Sequence, residues 1–178
     1  MTKLCSLIAG LALLSVGTGT AQSPTAKPSP QIDCTKLTVD SASKTATLEL
    51  VAGLTDQNSS LNFNGFKDGG LTFTVPVNWN VVMHFKNNDH NLQHSAEIID
   101  SVKAVPPGPV DPAFPRAATT KLMVGLSASE VDQMKFIANK VGTYMIFCGV
   151  PGHGLAGMWI RFKVSATEKQ PSLAATSS

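Results

Sequence analysis

Between residues 36 and 164 the chain alternates short apolar and polar positions in segments rich in Val, Ile, Thr and Phe, separated by Gly, Pro, Asn and Asp. Helical periodicity is hard to find there. A period of two buries one face of each extended segment, so the pattern predicts an all-β fold, an antiparallel β-sandwich. Candidate strands are 36–39, 45–51, 61–64, 71–75, 80–86, 95–100, 131–138, 143–147 and 158–164. In the last of these, Met158, Ile160, Phe162 and Val164 share the side expected to be core, opposite Trp159, Arg161 and Lys163. Ser127 followed by Glu130 resembles a helix capping box, but Met134, Phe136 and Ala138 alternate with Lys135 and Ile137, which favours a strand over 131–138. Gly65 and Gly69-Gly70 mark a turn rather than a phosphate loop, because no helix follows them. Residues 105–115 hold five prolines in eleven positions, too many for an interior strand, and read as a long surface excursion.

The N-terminal segment has the build of a secretory signal: Lys3, a mostly Leu, Ala and Ile run over 7–16, and Gly19-Thr20-Ala21 before Gln22. A membrane helix needs about 20 apolar residues, so cleavage after Ala21 is favoured over retention as an anchor. The chain is therefore expected to be exported, to the periplasm or the extracellular face of the membrane. Removing 21 of the 178 residues leaves 157, enough for one domain with a core of its own. Residues 22–31 read as a Pro-rich linker, 32–166 as the folded domain and 167–178 as a flexible tail. Lys and Arg total 14 against 12 Asp and Glu, with no basic run interleaved with aromatics, so nothing suggests nucleic-acid binding.

Of three cysteines, Cys5 falls in the signal, which leaves Cys34 and Cys148. Cys148 is surrounded by other metal-ligand types, and this argues against a disulfide to Cys34. The stretch Cys148-Gly-Val-Pro-Gly-His153-Gly-Leu-Ala-Gly-Met158 sets a thiol, an imidazole and a thioether at five-residue steps. Four glycines and a proline among residues 149–157 exclude helix and predict a loop between two strands that can fold its side chains back on one point. Alone, Cys148 would read as an inert core thiol and Met158 as core filler; with His153 at this spacing they read as ligands. A thiolate, a thioether and imidazole select copper, and Cys-His-His with a weak axial Met is the blue-copper arrangement. A structural zinc site would need four N or S ligands, usually in pairs, and no second Cys-rich pair exists.

The second histidine must come from elsewhere, and Phe85-Lys-Asn-Asn-Asp-His90-Asn-Leu-Gln-His94-Ser95 offers two. His94 directly precedes an alternating segment, so a strand end would fix its backbone, whereas His90 lies in mid-loop; a site that must not rearrange needs ligands on rigid elements. His94 is favoured and His90 is the runner-up. His84 alternates with Met83 and Phe85 and should face solvent, and Trp79 and Trp159 read as packing residues rather than electron relays.

The CGVPGHGLAGMW stretch, the NFNGFKDGGLTFTVPVNWNVVMHFKNND stretch and His94-Ser95 together resemble sulfocyanin, a relative of rusticyanin among the cupredoxins, over roughly residues 45–164. The resemblance implies a cupredoxin-like Greek-key β-sandwich with one mononuclear type 1 copper ion. It implies Cys148, His94 and His153 as strong ligands and Met158 as the axial one. It also implies that the small polar residue after the first histidine, here Ser95, ties its loop to the cysteine loop by hydrogen bonds. Two features stand apart: sulfocyanins are often membrane-anchored, whereas this N-terminus looks cleavable, and Cys34 has no part in the family's site.

The resulting expectation is a carrier of single electrons, not an enzyme. Copper oxidases and nitrite reductases couple the blue centre to a second copper through histidine beside the cysteine, and here the neighbours are Phe147 and Gly149. A copper-binding or delivery protein is the alternative, but such sites tend to be exposed and rich in Met and His. Expected partners of this monomer are redox proteins of a respiratory chain, of the cytochrome or terminal-oxidase class.

Overall fold

In the computed structural model, residues 3–4, 33 and 36–176 are described. They form ten strands: β1 Lys3–Leu4, β2 Leu37–Asp40, β3 Thr45–Ala52, β4 Leu71–Pro76, β5 Trp79–Asn87, β6 Glu97–Asp100, β7 Val131–Ala138, β8 Gly142–Phe147, β9 Trp159–Ser165 and β10 Ser172–Ala175. One sheet has the order β1-β10-β4-β9-β8-β6, the other β2-β3-β5-β7. From β3 to β8 the chain crosses between sheets at every connection. Two crossings return it pointing the same way, which is why β3 and β5 pair in parallel; β4 and β9 do so too, and the sheets are mixed rather than purely antiparallel. Among the described residues no helix is long and apolar enough to cross a membrane.

Alternation explains the strands. In β3, Ala46, Leu48, Leu50 and Ala52 are buried while the residues between them face outward; in β7, Met134, Phe136 and Ala138 are buried, so this segment is the expected strand. Met158, Ile160, Phe162 and Val164 are all at most 1% exposed, as their shared parity requires. The sheets meet through aromatic rings: Phe136 and Phe162 approach edge to face at 5.8 Å, and Phe114 stacks on Phe136 at 5.2 Å. Phe114 belongs to the proline-rich excursion, which makes no strand but drives this one ring into the core.

The last four residues of β8 are buried on both faces. Tyr144 and Ile146 join the main core, whereas Met145 and Phe147 form a smaller cluster with Ile99, covered by Val105 and Trp159. Cys148 continues the inward parity of Tyr144 and Ile146, and Met158 starts that of β9. Both therefore sit at one end of the main core.

Three further expectations about the elements are corrected. Residues 61–64 form no strand: Phe63 makes only isolated bridges to Ala52 and Phe66, because Asn58, Ser59, Ser60 and Asn64 take positive φ and curl the chain. Asn62 and Asn64 side chains supply the hydrogen bonds that a ladder would have made. The expected flexible tail 167–178 instead carries β10, which pairs with β4 and buries Leu173. The strand expected at 95–100 begins only at Glu97. The cleavage point at Ala21, the linker 22–31 and Cys34 lie outside the described residues; Lys3 and Leu4 pair with Ala175 and Ala174.

Candidate metal centre

The loop from Cys148 to Met158 closes the β8–β9 hairpin. Cys148 N–H donates to Met158 O at 3.1 Å, and Met158 N–H donates to His153 O at 3.0 Å, so the backbone doubles back on itself between the two sulfur residues. Gly152 and Gly157 hold φ of 84° and 91°, a region L side chains rarely adopt, which is the conformational reason for glycine there. His94 arrives from the β5–β6 connection. It is held not by a strand end but by a two-bond bridge to Leu126, with N–H to O distances of 3.2 and 2.7 Å.

One potential donor atom from each of His94, Cys148 and His153 lies within 4.8 Å of the others. The two Nδ1 atoms are 3.2 Å apart, and Cys148 Sγ is 3.6 Å from His153 Nδ1. His94 and Cys148 are fully buried, and His153 is half-buried beside exposed Pro151 and Leu155. Met158, also fully buried, closes the loop. His90 is exposed, and His84 stands half-exposed on β5 with Nδ1 2.7 Å from Glu49 Oε1. Of the two candidates, His94 joins the cluster.

Ser95 stitches the site together. Its N–H points at Cys148 Sγ from 3.5 Å, its hydroxyl donates to Leu122 O at 2.7 Å and accepts Gly149 N–H at 3.1 Å. This is the tie between histidine and cysteine loops expected of that position.

Burial dominates the electrostatics. It pushes the Cys148 thiol up to about 11, against partial relief from the Ser95 and Val150 N–H groups. It also pulls His153 down to about 4, with the neighbouring His94 adding to the effect. His94 is lowered by burial, although the hydrogen bond and charge of Asp89 oppose this. Burial thus keeps the two imidazoles neutral, ready as lone-pair donors, and favours a thiol that ionises only when a cation compensates it. Two nitrogens and a sulfur converging at one end of the main core, with no carboxylate among them, fit a soft ion such as copper and not a hard one.

Two residues that matter here escape sequence reasoning. Asp89, 5% exposed, reaches His94 Nε2 with Oδ2 at 3.1 Å; in the run Asn87-Asn-Asp-His-Asn it looks like any solvated turn acid. Glu97, fully buried on β6, stands behind Gly149, where an added Cβ would meet its Oε1 at 3.1 Å. Its parity with Ile99 puts it on the face of the smaller cluster, opposite Phe147, where the proline-rich excursion covers it. The proline-rich excursion also proves to be a cover: Pro107 O accepts Gly152 N–H at 2.9 Å, and Pro109 packs against Gly149.

Comparison with known proteins agrees with this geometry. The model of the Sulfocyanin (SoxE) domain matches residues 33–174. Sulfocyanin of Sulfolobus acidocaldarius is 27% identical over 126 residues, 67% of this chain and 63% of that protein, so the chain spans under two thirds of the length of this relative. The structure of reduced auracyanin from the photosynthetic bacterium Roseiflexus castenholzii superposes with a TM-score of 0.50 at 26% identity, covering 67% of this chain and 96% of that one. Reduced rusticyanin shares the fold, with a TM-score of 0.51 at 20% identity over 74% of this chain and 91% of its own. With its β-sandwich, its buried His-Cys-His cluster and a family match over most of its length, the chain belongs to the sulfocyanin family.

Proposed function

We propose that this protein is a type 1 copper electron carrier, in which His94, Cys148 and His153 would hold the ion as strong donors and Met158 would add a weak fourth. The observation that carries the reading is the convergence of one buried thiol and two imidazoles within 4.8 Å at the end of the core. Bound copper supplies a one-electron couple; the chain's own task is to hold the donors still while the charge changes.

The loop is clamped for that task from three sides. Asn58 Nδ2 donates to Ala156 O at 2.8 Å, Asp68 N–H donates to Gly157 O at 2.9 Å, and Gly152 N–H reaches Pro107 O. Ser95 holds the fourth contact, at Gly149. Half-buried His153 offers electrons the shortest way out, and Val150, Pro151 and Leu155 give it a small apolar rim suited to brief encounters that bury little area.

A carrier rather than an enzyme follows from Phe147 and Gly149 flanking Cys148, since neither can lead to a second copper. Burial of His94 and Cys148 favours a resident ion over one delivered to other proteins. The N-terminal apolar run supports a location outside the cytoplasm, and the small rim supports redox proteins of the cytochrome or terminal-oxidase class as partners.

Adding cupric ion to the purified apoprotein tests this directly. The expected result is an intense blue absorption with narrow copper hyperfine splitting, absent in Cys148→Ser because the colour arises from thiolate-to-copper charge transfer. A colourless wild type, or a blue Ser variant, overturns the reading. Loss of copper to a mild chelator within minutes would instead favour delivery.

A further inference from the structure

Asp89 is buried against His94, and each of its oxygens already has work. Oδ2 lies 3.1 Å from His94 Nε2, while Oδ1 accepts the N–H groups of Asn91 at 2.8 Å and Leu92 at 3.3 Å. Asn87 locks the same turn: its Oδ1 accepts Asp89 N–H at 2.9 Å, and its Nδ2 donates to Leu92 O and Leu126 O at 2.8 Å. Behind the carboxyl, Gly53 leaves no slack, for a Cβ on it would lie 2.7 Å from Asp89 Cβ. Leu126 is also the residue bridged to His94, so imidazole and carboxylate are fixed to one frame.

We infer that Asp89 is the positioning residue of the metal centre, holding His94 in the tautomer that carries its proton on Nε2 and presents the Nδ1 lone pair to Cys148 and His153. This rests on the copper reading of the cluster. A carboxylate behind a ligating histidine fixes its ring and makes its free nitrogen a stronger donor, and losing such a partner typically weakens metal binding ten- to hundred-fold.

The geometry demands a carboxylate and not an amide. Three N–H groups converge on two oxygens, and all three need an acceptor. Asparagine has one oxygen. Turned toward Asn91 and Leu92, it would present an NH₂ to the imidazole Nε2–H, donor against donor; turned toward His94, it would leave two backbone donors facing an NH₂. Asp89→Asn is therefore not conservative here, although it changes shape hardly at all.

A stronger Nδ1 donor with a negative charge behind it favours the cupric over the cuprous ion. The test compares copper-loaded full-length wild type with Asp89→Asn by redox titration, by cupric affinity and by electron paramagnetic resonance. The expected result is a higher reduction potential, cupric affinity lowered by about ten- to hundred-fold, and a changed hyperfine pattern. Unchanged potential and affinity overturn the role of Asp89.

Should the variant fail to fold, nitrogen NMR of the cuprous wild type decides. A slowly exchanging His94 Nε2–H, with Nδ1 bearing the metal-shifted signal, upholds the inference; a freely exchanging Nε2–H, or metal on Nε2, overturns it. A wild type that never turns blue overturns the copper reading itself, whereas a blue wild type matched in every measurement by Asp89→Asn overturns this inference alone.

Discussion

Phe147 occupies the space that any side chain at position 154 would need: a Cβ built on Gly154 would lie 1.8 Å from Phe147 Cε2. Phe147 precedes one proposed ligand and Gly154 follows another, so this contact presses Cys148 and His153 into register from outside the site. The ring cannot retreat, since it is packed against Ile99 and Met145 under Trp159.

Gly154→Ala should therefore push the loop away. Overpacking of a filled core costs about 1–3 kcal/mol, and here the displaced backbone carries His153. Thermal melts should fall with and without copper, and the blue spectrum should broaden. An unshifted melt with an unaltered spectrum would show that the loop yields freely at this point.

Met158→Leu separates packing from ligation. The swap nearly conserves volume, so stability should change by less than about 1.5 kcal/mol although the residue is fully buried. The site should stay blue, and its reduction potential should rise, because losing a weak axial donor destabilises the cupric state more than the cuprous one. A potential equal to the wild type's would make Met158 a core residue only.

Glu97 gives stability an uncommon pH dependence. Burial pushes its carboxyl from 4.5 up to about 7, helped by the charge of Asp111 and opposed by the Val110 N–H, and one oxygen has no hydrogen-bond partner among the described residues. Between these values the folded chain keeps a proton that the unfolded chain has lost, so this group's contribution is full below pH 4.5 and disappears as pH rises past 7. The shift corresponds to roughly 3 kcal/mol at most. Relative to Glu97→Gln, the metal-free wild type should lose about that much between pH 4.5 and pH 8 in denaturant melts. The lowered His94 and His153 act in the opposite direction, but equally in both proteins, so they cancel in the difference. Parallel profiles would mean that Glu97 ionises without penalty.

Much of this was legible because it is local. Period-two alternation identifies β3, β5, β7 and β9, and three of the four proposed ligands lie within eleven consecutive residues that glycine and proline force into a loop. What stayed hidden depends on partners distant in sequence. Ser172–Ala175 has the composition of a frayed end and becomes a strand because β4 supplies a ladder and Leu173 finds a place opposite Phe73. The curl at Asn58 to Asn64 contains an apolar pair resembling a strand, yet side-chain amides bonding to Glu49, Thr55 and Gln57 hold it otherwise. Glu97 and Asp89 are acids in unremarkable settings, and only the folded chain shows what buries them.

The choice between His94 and His90 is open to chemical complementation. His94 is fully buried, bridged to Leu126 and 3.2 Å from His153 through the two Nδ1 atoms, whereas His90 is exposed four residues earlier. Removing the His94 side chain leaves a ring-sized gap between Asp89 and His153, with the other donors still in place. Free imidazole is small enough to enter that gap and carries the same donor atom. Copper-loaded His94→Gly should thus lose the native blue spectrum and recover it when imidazole is added, in a saturable way. His90→Ala should remain blue throughout and should not respond to imidazole, because its side chain faces solvent. If His90→Ala is the variant that goes colourless and is rescued, the ligand is His90 and not His94.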